Sequence, residues 1–568
     1  MAFRNTWNSL LGVGLIALLC GCGGGGNPPE QRETAYGVVV GSNDADTTGT
    51  YSWKGIPFAK APVGALRWKA PVEPDAWATP RQAKAFGPAC LQSGRIYGPG
   101  ANNRYDGSIA TTLNQPVGSE DCLMLNIWRP AGVEERLPVI VFAHGGGGIS
   151  GYTADPVYDG AALARAANAV VVTTNYRLGV LGFMNLPQLK TGTDAASDSG
   201  NFALLDLMQA LKFVQRNATA FGGDPGNVTL MGQSAGAVAT LALVTSPLAK
   251  GLFHKAVPLS GGLSLASNLP PGAVPTLQPP AVYQTQANAL LAKLLVADGK
   301  ASDAASAAAY VASQTPAQIA DYLRAKDAGV ILTTLLQAGL SGSGPILDGV
   351  VMPTNPMGAI ASGNYSRMPM LVGYTREEGK LFASALTALG GPSGYRIGDA
   401  ERFNLMASFN PDAPSTVTAA DILNAAYLPV TAPGTGFNAR MALVTSVLFL
   451  SNRDNLVASL AGQQSNVWQF QFDWAQEPAP WNDVYGAAHG FDLLFFFGNF
   501  GPSVFSNTMA SKANAPGRLA LSSAMMASVA AFARNGDPNN ALLGTTWPPS
   551  PQKLFFDASL SQAAISVK

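Results

Sequence analysis

Residues 230–237 read Leu-Met-Gly-Gln-Ser-Ala-Gly-Ala, so Ser234 stands between Gly232 and Gly236. An apolar run (Asn227-Val-Thr-Leu-Met231) enters this segment and an Ala/Leu-rich one (Ala235 to Val244) leaves it. That pattern describes a strand, a sharp turn and a helix, the elbow that exposes a serine nucleophile. The glycines permit the bend and let neighbouring backbone approach without a Cβ clash. A serine hydroxyl also needs a base to take its proton and an acid to orient that base. Where a sheet presents serine this way, the acid and then the histidine follow along the chain. The chain has three histidines, His144, His254 and His489. Only His489 lies far enough beyond Ser234 to leave room for an acid-bearing strand between them. Its setting, Tyr485-Gly-Ala-Ala-His489-Gly, is a loop of small residues that lets the imidazole reach two partners.

The acid is sought at the end of the strand-like stretch Pro369-Met-Leu-Val-Gly373, which runs into Glu377-Glu378-Gly379. A carboxylate there sits at the C-terminal edge of a strand, where sheets of this kind place their chemistry. Adjacent side chains on extended backbone point to opposite sides, so the two glutamates cannot both point inward; composition does not choose between them, and other carboxylates also lie between Ser234 and His489. Pro138-Val-Ile-Val-Phe-Ala-His144 is a hydrophobic strand that ends in four glycines, Gly145 to Gly148. Unobstructed backbone N–H groups in such a loop can hold the oxyanion of a tetrahedral intermediate. His254, in Gly251-Leu-Phe-His254-Lys-Ala-Val, reads as structural, near the strand after the nucleophile helix.

Taken together the chain resembles the type-B carboxylesterases, the family of the cholinesterases, many bacterial esterases and some fungal lipases. The resemblance spans roughly residues 34–560 and rests on separate blocks: Gly55 to Trp68, Ser119-Glu-Asp-Cys122-Leu-Met-Leu-Asn126, Asn175-Tyr-Arg-Leu-Gly179-Val-Leu-Gly182-Phe183, Phe221-Gly-Gly-Asp-Pro225, Pro345-Ile-Leu-Asp348-Gly349, Phe532-Ala533 and Trp547-Pro548. It implies an α/β-hydrolase fold, a large, mostly parallel central sheet flanked by helices, and a serine esterase needing no cofactor or metal. The family's acid is a Glu directly before a Gly, which selects Glu378. Its oxyanion donors correspond to Gly146, Gly147 and Ala235, and its first disulfide to Cys90 with Cys122. Most relatives carry Phe after the glycine triplet where this chain has Gly148, so a looser loop or a wider acyl entrance is expected. Cholinesterases carry an acid before the nucleophile and a Trp in the first disulfide loop; here stand neutral Gln233 and no Trp in 91–121. Without that aromatic face a cation has no cation–π partner, so choline esters are not the expected substrates. A small or medium uncharged ester is.

The elements around these motifs follow from composition. Hydrophobic residues make up 47% and charged residues 12%, enough for a large core. The formal net charge is zero, which removes the electrostatic case for nucleic acid. Length suggests three or four domains, yet the triad candidates spread over about 255 residues of strand–helix alternation argue for one domain, 34–568. Helical insertions are expected at about 263–343 and 381–440. The first opens on Pro270, Pro271, Pro275, Pro279 and Pro280 and then gives helical stretches at Gln286–Ala297 and Pro316–Lys326, with Thr315-Pro316 as a helix start. Phe495–Phe497 and Trp468–Trp474 read as core. At the N-terminus Arg4 precedes an apolar stretch, Leu10 to Leu19, too short for a spanning helix and suited to a signal peptide over 1–21. Leu19-Cys-Gly-Cys22 resembles a bacterial lipobox, implying lipidation of Cys22, a flexible tether over 22–33 and an outer-membrane location; a soluble periplasmic or extracellular protein is the alternative. Cys20 then leaves with the signal, and Cys90 and Cys122 remain as an even pair in an oxidising compartment. Alternatives for function are a lipase, against which the polar, Gly-rich segment 91–121 argues, a polymer- or polyphenol-ester hydrolase, and a non-catalytic adhesion module. The sequence does not set the oligomeric state.

Overall fold

The computed structural model describes residues 28–132, 135–341 and 344–568. The signal segment, Cys20, Cys22 and the first part of the tether lie outside the described residues. The tether reading ends too late: Gln31–Thr34 is a strand, paired antiparallel with Gly37–Val40. Ala35 and Tyr36 make the turn between them, while the polar Gln-Arg-Glu-Thr run carries no hydrophobic alternation that would have marked a strand.

The central sheet has eleven strands. In chain order they are β1 (Ser42–Asp44), β2 (Thr50–Pro57), β3 (Met124–Pro130), β4 (Leu137–Ala143), β5 (Val170–Thr174), β6 (Gly223–Gln233), β7 (Lys255–Leu259), β8 (Met370–Thr375), β9 (Val467–Phe472), β10 (Lys553–Phe556) and β11 (Ser566–Val567). Their spatial order is β11-β10-β9-β8-β7-β6-β4-β5-β3-β2-β1. The run from β10 to β5 is parallel, and the edge strands β1, β2, β3 and β11 pair antiparallel. Parallel strands must be covered on both faces, and β4, β5, β7 and β8 are buried at every position. One core cluster packs Val139, Val141, Leu230 and Val372 against Leu204 and Leu211 of the helix Phe202–Asn217. A second packs Ile140, Phe142, Met231 and Leu371 against Phe495, Phe496 and Phe497, so those phenylalanines, with Trp468 and Trp474, are core.

The blocks recognised in the sequence meet one another. Arg67 grips Glu120 with two hydrogen bonds of 2.7 and 2.6 Å and donates to the carbonyl of Lys326, tying the Gly55–Trp68 and Ser119–Asn126 blocks to the first insertion. Arg177 and Asp206 form a buried pair at 2.7 Å, and Asn201 donates to Asp348 at 3.1 Å. Cys90 and Cys122 are joined as a disulfide across 32 residues. Closing a loop of that size contributes about 3–4 kcal/mol in the chain-entropy account. The first insertion contains the helices Pro280–Ala297, Ala304–Ser313, Pro316–Arg324 and Ala328–Gln337, which build a third cluster with Trp68, Val180 and Phe202. Thr315 caps its helix by accepting from Gln318 N–H, with Pro316 in the first turn. The second expected insertion holds the helical segments Glu378–Leu389, Asp399–Ser408, Ala419–Ile422 and Phe437–Thr445. No described helix is long and apolar enough to cross a membrane.

Candidate active site

Strand β6 delivers Ser234 to the C-terminal edge of the sheet, and the helix Ala235–Thr245 begins at the next residue. The serine backbone is at φ 56°, ψ −121°, a strained conformation for a residue with a side chain. The turn exists because both flanking glycines are indispensable. A Cβ on Gly232 would lie 2.2 Å from the Gly236 carbonyl oxygen, and one on Gly236 would lie 2.1 Å from that of Ala143. Ser234 N–H donates to Leu259 O at 2.8 Å, which anchors the elbow to β7. Ser234 stays half-buried, its side chain open to the adjoining cavities.

His489 and Glu378 are in contact. His489 Nδ1 and Glu378 Oε2 are 2.5 Å apart, both side chains buried. The same carboxylate accepts from Ser260 Oγ at 2.6 Å and from Thr375 N–H at 2.8 Å. Three donors around one buried carboxylate fix its orientation. Ser260, at the end of β7 with φ 53°, is a site residue the sequence reading missed; its only signal was a serine next to Gly261-Gly262 at a strand end. With Nδ1–H donated to the carboxylate, Nε2 presents its lone pair. That lone pair meets Gln233 Nε2 at 3.0 Å. Among the described residues no hydrogen bond joins Ser234 Oγ to His489, although both line one cavity. A hydrogen bond from the Ser234 hydroxyl to Nε2 would require the Gln233 amide to give way.

Glu377 turns the other way. Its Oε2 accepts from Ala487 N–H at 3.0 Å, its own N–H donates to Ala487 O at 2.9 Å, and Lys380 Nζ pairs with Oε1 at 2.9 Å. Burial pushes this carboxyl up, but Lys380, Arg376 and the Ala487 N–H together outweigh it and leave it below the usual carboxylate range. The two adjacent glutamates thus divide between the imidazole and the loop that carries it. Nearby, the buried Asp492 is pushed up to about 8 by desolvation and then by the charge of Glu378.

The glycine loop after β4 is turned by hydrogen bonds from Ile149 and Ser150 N–H to Gly146 O, both 3.1 Å. Gly146 and Gly147 have φ of +105° and +66°, and a Cβ on Gly146 would strike Ser150 O at 2.2 Å. Their N–H groups have no acceptor among the described residues, and Ala235 N–H is an unpaired donor of a helix first turn. His144 is buried, stacks on Tyr176 with ring centroids 4.6 Å apart, and is pushed down to about 4 by desolvation, so it is a neutral support for the loop. Gly148 is held too: its O accepts from Gly179 N–H at 2.7 Å. His254 accepts from Val228 N–H through Nδ1 at 3.1 Å, a structural bond between β6 and β7.

A mostly parallel sheet with a strained serine at a strand–helix elbow, followed in chain order by a carboxylate and a histidine, defines an α/β-hydrolase. Comparison with known proteins agrees: a model of the carboxylesterase family matches residues 28–562. A para-nitrobenzyl esterase of Bacillus subtilis is 33% identical over 466 residues, covering 82% of this chain and 82% of that protein. A fumonisin B1 esterase of Sphingopyxis macrogoltabida is 32% identical over 554 residues, covering 95% and 88%. A solved PNB esterase structure superposes with a TM-score of 0.69 at 29% identity, covering 95% of this chain and 97% of that one. The chain belongs to the carboxylesterase family, and it is a carboxylic ester hydrolase.

Proposed function

We propose that the protein is a serine carboxylesterase working through an acyl-enzyme, with Ser234 as nucleophile, His489 as general base and acid, and Glu378 orienting the imidazole. The observation that carries this reading is the 2.5 Å contact between Glu378 Oε2 and Nδ1 of His489, whose side chain lines a cavity together with Ser234. Ser234 Oγ bonds to the ester carbonyl carbon as its proton passes to His489 Nε2. The carbonyl oxygen, now an oxyanion, takes N–H groups from Gly146, Gly147 and Ala235. The C–O bond to the alcohol breaks, and the alcohol leaves with the proton from Nε2. Water, deprotonated by the same nitrogen, then releases the acid and restores the serine. A fluorophosphonate should modify the enzyme once, on the peptide containing Ser234, as read by mass spectrometry. An adduct on another residue, or ester turnover unaffected by the reagent, would overturn the assignment.

We also propose that residues 34–568 act as one catalytic domain, exported and tethered to the outer membrane by lipid on Cys22. The Leu-Cys-Gly-Cys22 sequence after an apolar segment supports this, as does a disulfide of the kind kept in oxidising compartments. Labelling of cells with radioactive palmitate should mark the full chain and not its Cys22→Ser variant. An unlabelled wild-type chain in the soluble periplasmic fraction would refute the anchor.

A further inference from the structure

A further cavity, of about 130 Å³, lies beside the disulfide loop and has no wall residue in common with the two that Ser234 lines. Its apolar wall consists of Leu181 and of Ile331, Leu332, Leu335, Leu336 and Leu340, from the helix Ala328–Gln337 and the turn behind it. Leu332, Leu336 and Leu340 are only half-buried, so apolar surface stays uncovered there. Ser93 and Arg95 of the disulfide loop complete the wall. Buried polar groups in folded proteins are hydrogen-bonded with few exceptions, and each exception asks for a reason. Two stand here. Ser93 is 3% exposed, and its Oγ has no partner among the described residues. Arg95 Nε is shut away from solvent without an acceptor, and among the described residues no carboxylate pairs with the guanidinium.

The segment that carries these two groups is held in place on several sides. Gln92 and Ser93 pair antiparallel with Pro116–Val117, and Gly94 N–H donates to Gln115 O at 2.9 Å. Gln92 donates to Gly151 O at 2.9 Å and accepts from Gly151 N–H at 2.8 Å. Its unpaired donors are therefore already positioned, and a ligand would not have to order them. A guanidinium presents N–H groups in a planar fork that matches a carboxylate, and a hydroxyl can add one more donor. Leucine walls beside such a fork suit an anion carried on a hydrocarbon chain better than a free inorganic ion. Ester hydrolysis releases such a molecule, a carboxylic acid that is ionised at neutral pH.

We propose that this cavity binds an apolar monocarboxylic acid, the product class of the enzyme, its carboxylate on Arg95 and Ser93 and its alkyl chain along Leu332, Leu335 and Leu336. The choice of occupant rests on the ester-hydrolase assignment, and the site itself makes no use of Ser234. Calorimetric titration of enzyme already modified by fluorophosphonate keeps the catalytic serine out of the measurement. The mass of the adduct is read first, so a failure of the serine mechanism shows there and not in the titration. Octanoate should bind about tenfold or more tightly than 1-octanol, which lacks the charge, and than butyrate, which lacks most of the chain. Arg95→Gln should weaken octanoate about tenfold and leave 1-octanol within about threefold. Leu336→Trp, which fills the groove, should weaken both. Both variants should hydrolyse a short nitrophenyl ester within about threefold of wild type before modification, which shows that they fold. Equal affinity for octanoate and 1-octanol, wild-type affinity in Arg95→Gln, or no heat from octanoate at millimolar concentration would overturn the site. The comparison of ligands uses the unaltered chain, so it decides the question whatever the variants do.

Discussion

Ser234→Ala should lower kcat on a short nitrophenyl ester by about 10⁴-fold or more, with KM and the melting temperature little changed. Removing the nucleophile of a triad costs rates of that order because the remaining members cannot act without it. What survives comes from the oxyanion donors and from binding, together worth about 10³–10⁴ over water. Here those donors sit on a loop and helix start that do not depend on the serine hydroxyl: the loop is turned by bonds to Gly146 O, and the elbow by Ser234 N–H to Leu259 O. Alanine retains the backbone N–H and the Cβ, so the strained φ of 56° has the same steric basis in the variant. The folded enzyme should therefore persist with its cavity intact. A variant keeping more than a tenth of wild-type kcat would place the nucleophile elsewhere.

Local motifs made much of this site legible. The elbow around Ser234 and the glycine run after His144 are short patterns whose backbone consequences follow from glycine itself. His489 emerged because only three histidines exist and two lie too early in the chain. Less legible was whatever depends on a contact between distant segments. Composition left Glu377 and Glu378 equivalent; the family pattern pointed to Glu378, and the fold separates them because Thr375 N–H and Ser260 Oγ meet one carboxylate while Ala487 meets the other. Ser260 and Glu378 are 118 residues apart, so no window of sequence contains both. Gln233 was noticed for being neutral, but its bond to His489 Nε2 spans 256 residues and could not be read locally. Element ends were missed for simpler reasons. The first long helix of the insertion begins at Pro280 and not Gln286, although Pro279-Pro280 offers the same first-turn proline as Thr315-Pro316.

The adjacent glutamates supply the second large effect. Glu378→Gln should lower kcat by about 10⁴-fold, the loss that accompanies a triad acid turned into an amide, whereas Glu377→Gln should cost about tenfold or less. Glu378 is completely buried and accepts from three donors: His489 Nδ1, Ser260 Oγ and Thr375 N–H. An amide in its place has only one accepting oxygen, so its NH₂ must face at least one of those donors. If it faces the imidazole, Nδ1 becomes the acceptor and the proton moves to Nε2, the nitrogen that should receive the Ser234 proton. If it turns away, Ser260 and Thr375 confront the NH₂, and the buried imidazolium of the transition state has lost its counter-charge in either case. Glu377 makes its bonds to the backbone of Ala487 and to Lys380. A glutamine there can still accept from Ala487 N–H through its oxygen and keep the His489 loop in place, forfeiting mainly the pairing with Lys380 and Arg376. Measuring kcat and KM for both variants beside wild type separates the roles, since a residue that only braces the loop alters both constants modestly. Comparable losses in the two variants, or the larger loss at Glu377, would assign the orienting carboxylate to the other member of the pair.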